Sequence, residues 1–292
     1  MPNKVIAALV LVALLSLSDA RAGLAAVDAG EVLTMNGDCF AVAGDQRAPL
    51  KMGDVVHAGD VIEVPEGARL KLRMTDGSVL SLASGTRMTI QTYDVDATGQ
   101  KRDAKLQLDT GLLRAVVNKI SQPSTFEVST ATGVAAARST DWFVEADPEA
   151  MRVGVLDGTV SLAALDAKGV AAANGVLIPA NSGSEIETIA APTPPVETKP
   201  GAAPPRPARR LAPQSVKQLT RSDFDRLIDR TNIRFGWCQC IENRTIIKAD
   251  CQTSAAGCKA DCGGGNFAYV PNARQSCARF YVDVVTGRGP RR

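Results

Sequence analysis

The stretch that decides the fold is FEVSTATGVAAARSTDWFVEADPEAMRVGVLDGTVSL, residues 126–162. Phe126, Val128 and Thr130 point one way and Glu127 and Ser129 the other, the two-residue alternation of a half-buried strand. Val153 and Val155 repeat the rhythm, and Asp157-Gly158 breaks it ahead of Val160 and Leu162. An Asp-Gly pair between alternating apolar runs predicts a hairpin with a type I′ turn. Between the two halves sits a dense cluster of distinctive residues, Ala137-Arg138-Ser139-Thr140-Asp141-Trp142-Phe143-Val144.

The same grammar extends upstream. Leu70, Leu72 and Met74 alternate with Arg69, Lys71 and Arg73, which reads as a strand with one buried and one wet face. Asp76-Gly77 turns that strand into Val79–Leu82, Gly85 punctuates before Met88, and Lys105–Leu108 leads into Gly111–Val117. Near the start, Glu31–Thr34 and Asn36-Gly37 predict a strand and tight turn, with Phe40–Val42 returning as its partner. Turn signals roughly 8 to 12 residues apart describe a stacked or sandwiched all-β domain. With aromatics at 4% of the chain, its core is expected to be Val, Leu, Ile and Ala. The stripe Arg69-Lys71-Arg73 reads either as a surface for an acidic partner or, preferred, as the solvated face of an edge strand.

These pieces, in this order, resemble the FecR domain, an all-β module of bacterial envelope proteins. The resemblance covers Gly53 to Leu162: Gly53-Asp54-Val55-Val56, Gly59-Asp60-Val61-Ile62, Asp76-Gly77-Ser78, Gly111–Arg114, Phe126–Thr130, then Thr132–Thr140 with Trp142-Phe143-Val144. Arg138, Thr140 and Trp142 are the motif positions, read as structural. Where the family usually has Arg-Gly-Thr this chain has Arg138-Ser139-Thr140, which questions the local turn because Gly there could supply positive φ. The resemblance implies a signalling precedent: FecR-type regulators relay the state of an outer-membrane iron-siderophore receptor to a cytoplasmic sigma factor. They carry a cytoplasmic helical segment and a membrane helix before the β-domain. Here that place holds Lys4, the apolar run Val5–Leu17 and Ala20-Arg21-Ala22, which reads as a cleaved secretory signal peptide, too short for the ~20 apolar residues of a span.

Charge and composition narrow the function. A formal charge of +2 gives no concentrated basic face for nucleic acid. A single histidine, His57, excludes multi-His metal sites and leaves every Ser-His or Cys-His mechanism resting on one turn residue.

Beyond the β-domain, Ala191 to Pro213 is rich in Pro, Ala and Arg and reads as a semi-rigid spacer. Ser222 is the expected cap of a short helix to Arg230, with Phe224, Leu227 and Ile228 on one face packing against the C-terminal module. Cys238, Cys240, Cys251, Cys258, Cys262 and Cys277 then predict a disulfide framework for that module, small and exported, with pairing undetermined. Cys39 is left as a buried thiol or a link to that module. Cys238-Gln239-Cys240 is also open to a redox pair, and four of the cysteines to zinc. Phe235, Trp237, Phe267, Tyr269, Phe280 and Tyr281 form either a binding face or the module's minimal core.

The expectation is therefore a mainly β protein: signal peptide 1–22, β-domain 23–190 with its core at about 53–162, linker 191–213, cysteine-rich module 214–283 and basic tail 284–292. It is read as a periplasmic or secreted, non-enzymatic binding or scaffold protein without cofactor or stable membrane span, its partner an envelope protein or cell-wall component. Thiol-disulfide exchange at Cys238 and Cys240, and cell-wall carbohydrate binding, are the alternatives.

Overall fold

The computed structural model describes residues 26–120, 122, 124–166, 169–173, 175–190, 209–211, 215–233, 236–242, 245–252 and 255–270. The leader, most of the Pro-rich segment, Phe235, Cys277, Phe280, Tyr281 and the basic tail lie outside them. In chain order the strands are β1 (Asp28–Asn36), β2 (Phe40–Ala43), β3 (Gln46–Pro49), β4 (Val55–His57), β5 (Val61–Val64), β6 (Arg69–Met74) and β7 (Val79–Leu82). Next come β8 (Thr86–Val95), β9 (Arg102–Val116), β10 (Thr125–Ser129), β11 (Gly133–Ala137), β12 (Asp141–Asp147), β13 (Ala150–Asp157) and β14 (Thr159–Ala164). β15 (Val176–Pro179), β16 (Ser182–Ala190), β17 (Arg209–Leu211) and β18 (Ser215–Gln218) follow, then helix α1 (Arg221–Thr231). The chain closes with β19 (Gly236–Glu242), β20 (Thr245–Gln252), helix α2 (Ala255–Asp261) and β21 (Phe267–Val270).

The first part is a sandwich of two sheets, as the alternation requires. The front sheet has the order β4-β1-β6-β7-β9-β12-β13-β16-β18, all antiparallel. The back sheet has the order β3-β2-β5-β8-β9-β10-β11-β14-β15, antiparallel except for β9–β10. β9 belongs to both: Arg102–Thr110 pairs with β8 and Gly111–Val116 with β12. Its inward residues change phase across the bend, from Ala104, Leu106 and Leu108 to Leu113 and Ala115, all buried. Between the sheets lie Ile62, Leu70, Leu72, Leu80, Ile90, Val128, Val144, Val153, Val160 and Ile186, the aliphatic core expected. Tyr93, Phe126 and Trp142 add an edge-to-face chain with centroids 6.5 and 6.4 Å apart.

Two predicted hairpins are sheet crossings instead. β13 is in the front sheet and β14 in the back, so Asp157-Gly158 turns a corner between layers. Gly158 has φ +88, and a Cβ there would sit 2.5 Å from Thr140 Cγ2. β1 and β2 are split the same way, β2 pairing with β3 and β5. The dipeptide fixes the turn, but burial of both flanking strands against opposite inner faces decides the partner. Asp76-Gly77 does close the β6–β7 hairpin, with Arg73 opposite Val79. Ser139 takes φ +57, the conformation for which the family's glycine is suited, at a cost on the order of 1 kcal/mol.

The Pro-rich segment does not space two bodies apart at its described ends. Ala190 pairs with Arg209, so the chain leaves β16 and returns beside it, and β18 continues along the same edge. The helix also differs from expectation in cap and position. Thr220, not Ser222, is the N-cap, in a reciprocal capping box with Asp223. Its face of Phe224, Leu227 and Ile228 packs on the outer side of the front sheet, against Ala83, Leu112 and Phe143.

β20, β19 and β21 form a separate antiparallel sheet. Cys238 and Cys240, two apart on β19, share one face of the strand, while Cys258 lies in α2 and Cys262, four residues on, stands in the turn just past the end of that helix. The bridges Cys238–Cys258 and Cys240–Cys262 clamp helix to strand, and Cys251 is disulfide-bonded too. Treating the protein with a reductant should therefore strip exchange protection from residues 236–270, each bridge contributing roughly 2–4 kcal/mol, while the sandwich keeps its melting temperature. Hydrogen exchange by mass spectrometry reads both at once.

Candidate functional site

The outer face of the front sheet is built in rows set by strand register. One row reads Lys71, Ser81, Arg114, Phe143, Gly154, Gly183 and Lys217 across β6, β7, β9, β12, β13, β16 and β18. Its two glycines leave a trough. A Cβ at Gly154 would lie 3.2 Å from Leu219 Cδ1, and one at Gly183 would lie 2.9 Å from the same methyl. Leu219 and the first turn of α1 occupy that space. An 11-residue helix is too short to persist alone in water, so its helicity depends on this docking.

Docking leaves a groove of about 450 Å³ between α1 and the sheet. Asp223, Arg226, Leu227 and Arg230 form its helical wall. Leu112, Phe143 and Gly154 line the floor, with Glu145, Arg152, Glu185, Ser215 and Lys217 along the adjoining strands. The charges are largely matched: Arg230 pairs with Glu145 at 2.5 Å, Arg226 with Asp223, and Arg152 with Asp147 at 3.0 Å, Glu185 and Glu187. Arg114 makes a bidentate pair with Asp141 at 2.9 and 2.6 Å and lies 5.3 Å from the Phe143 ring centre.

The C-terminal end of α1 sits on the basic stripe. Arg69 Nε donates to the Arg230 carbonyl at 2.9 Å and Lys71 Nζ to Asn232 Oδ1 at 3.3 Å. The preferred sequence reading, a solvated edge strand, fails: β6 lies between β1 and β7, so it is no edge strand, and Lys71 is only 4% exposed. Alternation showed which residues share a face, but not that a helix from far along the chain covers it. Burial, and then the neighbouring Arg114 charge, push the Lys71 amine down to about 8. Between pH 8 and about 10.5 the unfolded chain holds a proton here that the folded chain has released, so stability rises with pH across that window. Below it the cost of burying the charge is complete, on the order of 3 kcal/mol. Lys71→Met should thus raise stability at pH 7 by about 1–3 kcal/mol and flatten the alkaline rise, as read by urea titration from pH 6 to 10.

The other sequence candidates divide. Trp142 is fully buried and Thr140 nearly so, both structural, whereas Arg138 is exposed. His57 stands 3.4 Å from Asp28 and 3.5 Å from Asp60 at the β4 edge, away from the groove residues. Cys39 is a free, fully buried thiol that burial, and then Asp38, push up to about 11. Phe267 and Tyr269 stand opposite Cys240 and Cys238 and are half-buried on the disulfide-bonded face. Cys238 and Cys240 are not bridged to each other, which removes the geometry expected of a redox pair. Their sulfurs and that of Cys262 lie within 4.8 Å, the cluster that zinc would need, but each is already half of a disulfide. The signal for these bridges was the pair of close spacings, C-x-C on a strand and C-x-x-x-C running from a helix into the turn after it.

The fold is a two-layer β-sandwich with a helix laid across one outer face, followed in the chain by a disulfide-clamped hairpin. Residues 60–161 match the profile of the family described as FecR protein. Among solved structures, similarity is found to two crystal structures of a candidate anti-sigma factor from Parabacteroides distasonis ATCC 8503. One is 21% identical, covering 44% of this chain and 54% of that one with a TM-score of 0.34. The other is 15% identical, covering 80% and 94%, with a TM-score of 0.40. This chain thus spans about half of the first of them. Comparison with curated proteins finds no match. Among the described residues no helix is long and apolar enough to cross a membrane.

Proposed function

We propose that this protein is a non-catalytic binding component of envelope signalling, exported to the periplasm, whose FecR domain presents the α1 groove to a protein partner. The observation that carries the reading is the groove itself, an opening of about 450 Å³ with an apolar floor and charged walls on the outer face of the front sheet. The FecR profile favours signalling over chemistry. The bridged module is consistent with an oxidising compartment, where such bonds persist.

A photo-crosslinking residue at Ser215, inside the groove, against one at Thr159, on the back sheet, tests it in cells. A discrete protein adduct from position 215 alone, on protein released with the periplasmic fraction, is the expected result. Equal labelling from both positions, or protein retained in the cytosol, would contradict it.

A further inference from the structure

Beside the groove, the front sheet buries positive charge that the fold does not neutralise. Lys71 donates to a neutral amide, Asn232 Oδ1 at 3.3 Å, and its near neighbour Arg114 is a like charge already committed to Asp141. Arg73, two residues on and facing the same way, meets Glu31 at 3.5 Å through Nη1, while its Nε and Nη2 are buried without a hydrogen-bond partner among the described residues. Arg69, two residues back, donates to the Arg230 carbonyl at the end of α1. A buried cation without an anion costs several kcal/mol, and orphaned guanidinium donors add to it. Chains keep such groups where an anion is supplied from outside.

We propose that Arg69, Lys71 and Arg73 form a binding site for the carboxylates of an acidic, extended protein segment, which enters beside the end of α1 and takes the place of Asn232 on Lys71. The proposal rests on the binding role given above and names the chemistry of the partner. Alternate residues of a strand repeat every ~6.6 Å, so three cations on one strand face match carboxylates on alternate residues of an extended peptide.

The test is fluorescence anisotropy of fluorescein-labelled hexaglutamate with the full mature protein at low salt. Lys71→Met and Arg73→Met should each weaken binding about tenfold, the loss of one charge-assisted contact. Lys105→Met, removing an exposed back-sheet cation, should leave it unchanged. Because Lys71→Met is expected to fold at least as stably as the parent, its loss of binding cannot come from unfolding. Undiminished binding by both stripe variants, no binding by the parent, or displacement of the peptide by inorganic phosphate at equal anion concentration would each overturn the proposal. The last result would assign the stripe to a free oxyanion. Crosslinking from Ser215 that persists through any of these would leave the binding role standing and remove only the stripe from it.

Discussion

Asp76→Ala should cost the sandwich about 3–5 kcal/mol, seen as a fall in the urea midpoint without a change in slope. The Asp76 and Arg102 side chains are 0% and 1% exposed and form a direct ion pair. Asp76 also accepts from Tyr93 Oη at 2.8 Å and from Ser78 Oγ at 2.7 Å, and its carbonyl accepts from Asn118 Nδ2 at 2.9 Å. Arg102 reaches the Asn118 carbonyl at 3.3 Å and lies 5.2 Å from the Phe126 ring centre. Burial, and then the Asp76 charge, hold the Tyr93 hydroxyl well above its ordinary pKa, so it remains a donor to the carboxylate. Removing Asp76 strands a guanidinium in the core, which is why the loss exceeds that of one hydrogen bond. Asp76→Asn combined with Arg102→Met removes both charges and should recover much of the stability. A loss below 1 kcal/mol for Asp76→Ala would mean that the pair is solvated.

Gly111→Val should abolish folding, and Gly111→Ala should cost on the order of 4 kcal/mol, read as soluble yield and the far-ultraviolet melting curve. Here β9 passes from the back sheet to the front, with φ +97. A Cβ would lie 2.4 Å from Thr86 Oγ1 and 2.5 Å from Thr86 Cα. Because the second contact is backbone, Thr86→Ala should not rescue the variant. Normal folding of Gly111→Val would show that the two sheets are not joined through this strand.

The contrast between these positions shows what a single chain discloses. Asp76-Gly77-Ser78 is visible as a turn, and its hairpin is where alternation places it. That Asp76 anchors a buried cation is not visible, because Arg102 sits at the edge of a polar stretch, residues 94–103, with no apolar alternation to mark it as buried. Strand identities were legible because a period of two survives one-sided burial. Strand partners at Asn36-Gly37 and Asp157-Gly158 were not, since a turn that bends the chain within a sheet and one that carries it to the other layer use the same residues.

The outer face was hidden for a different reason. Lys71 is a charged residue in a polar phase, and its burial depends on α1, some 150 residues further along and beyond a Pro-rich stretch that reads as a spacer. The pairing of Ala190 with Arg209 is what returns that helix to the sheet. The disulfide framework was legible from the cysteine count, but its pairing was not, because it depends on which strand the short helix docks against.

Both the groove and the cation stripe exist only if α1 lies over the front sheet with the Lys71 amine beneath its end. Titrating the Lys71 ammonium by heteronuclear NMR in the intact protein tests this most directly. A midpoint of about 8 is expected, moving toward the ordinary lysine value when Phe224→Ala loosens the helix. A parent protein whose Lys71 titrates near 10.5 would contradict it, because that amine would then be in water and the helix elsewhere.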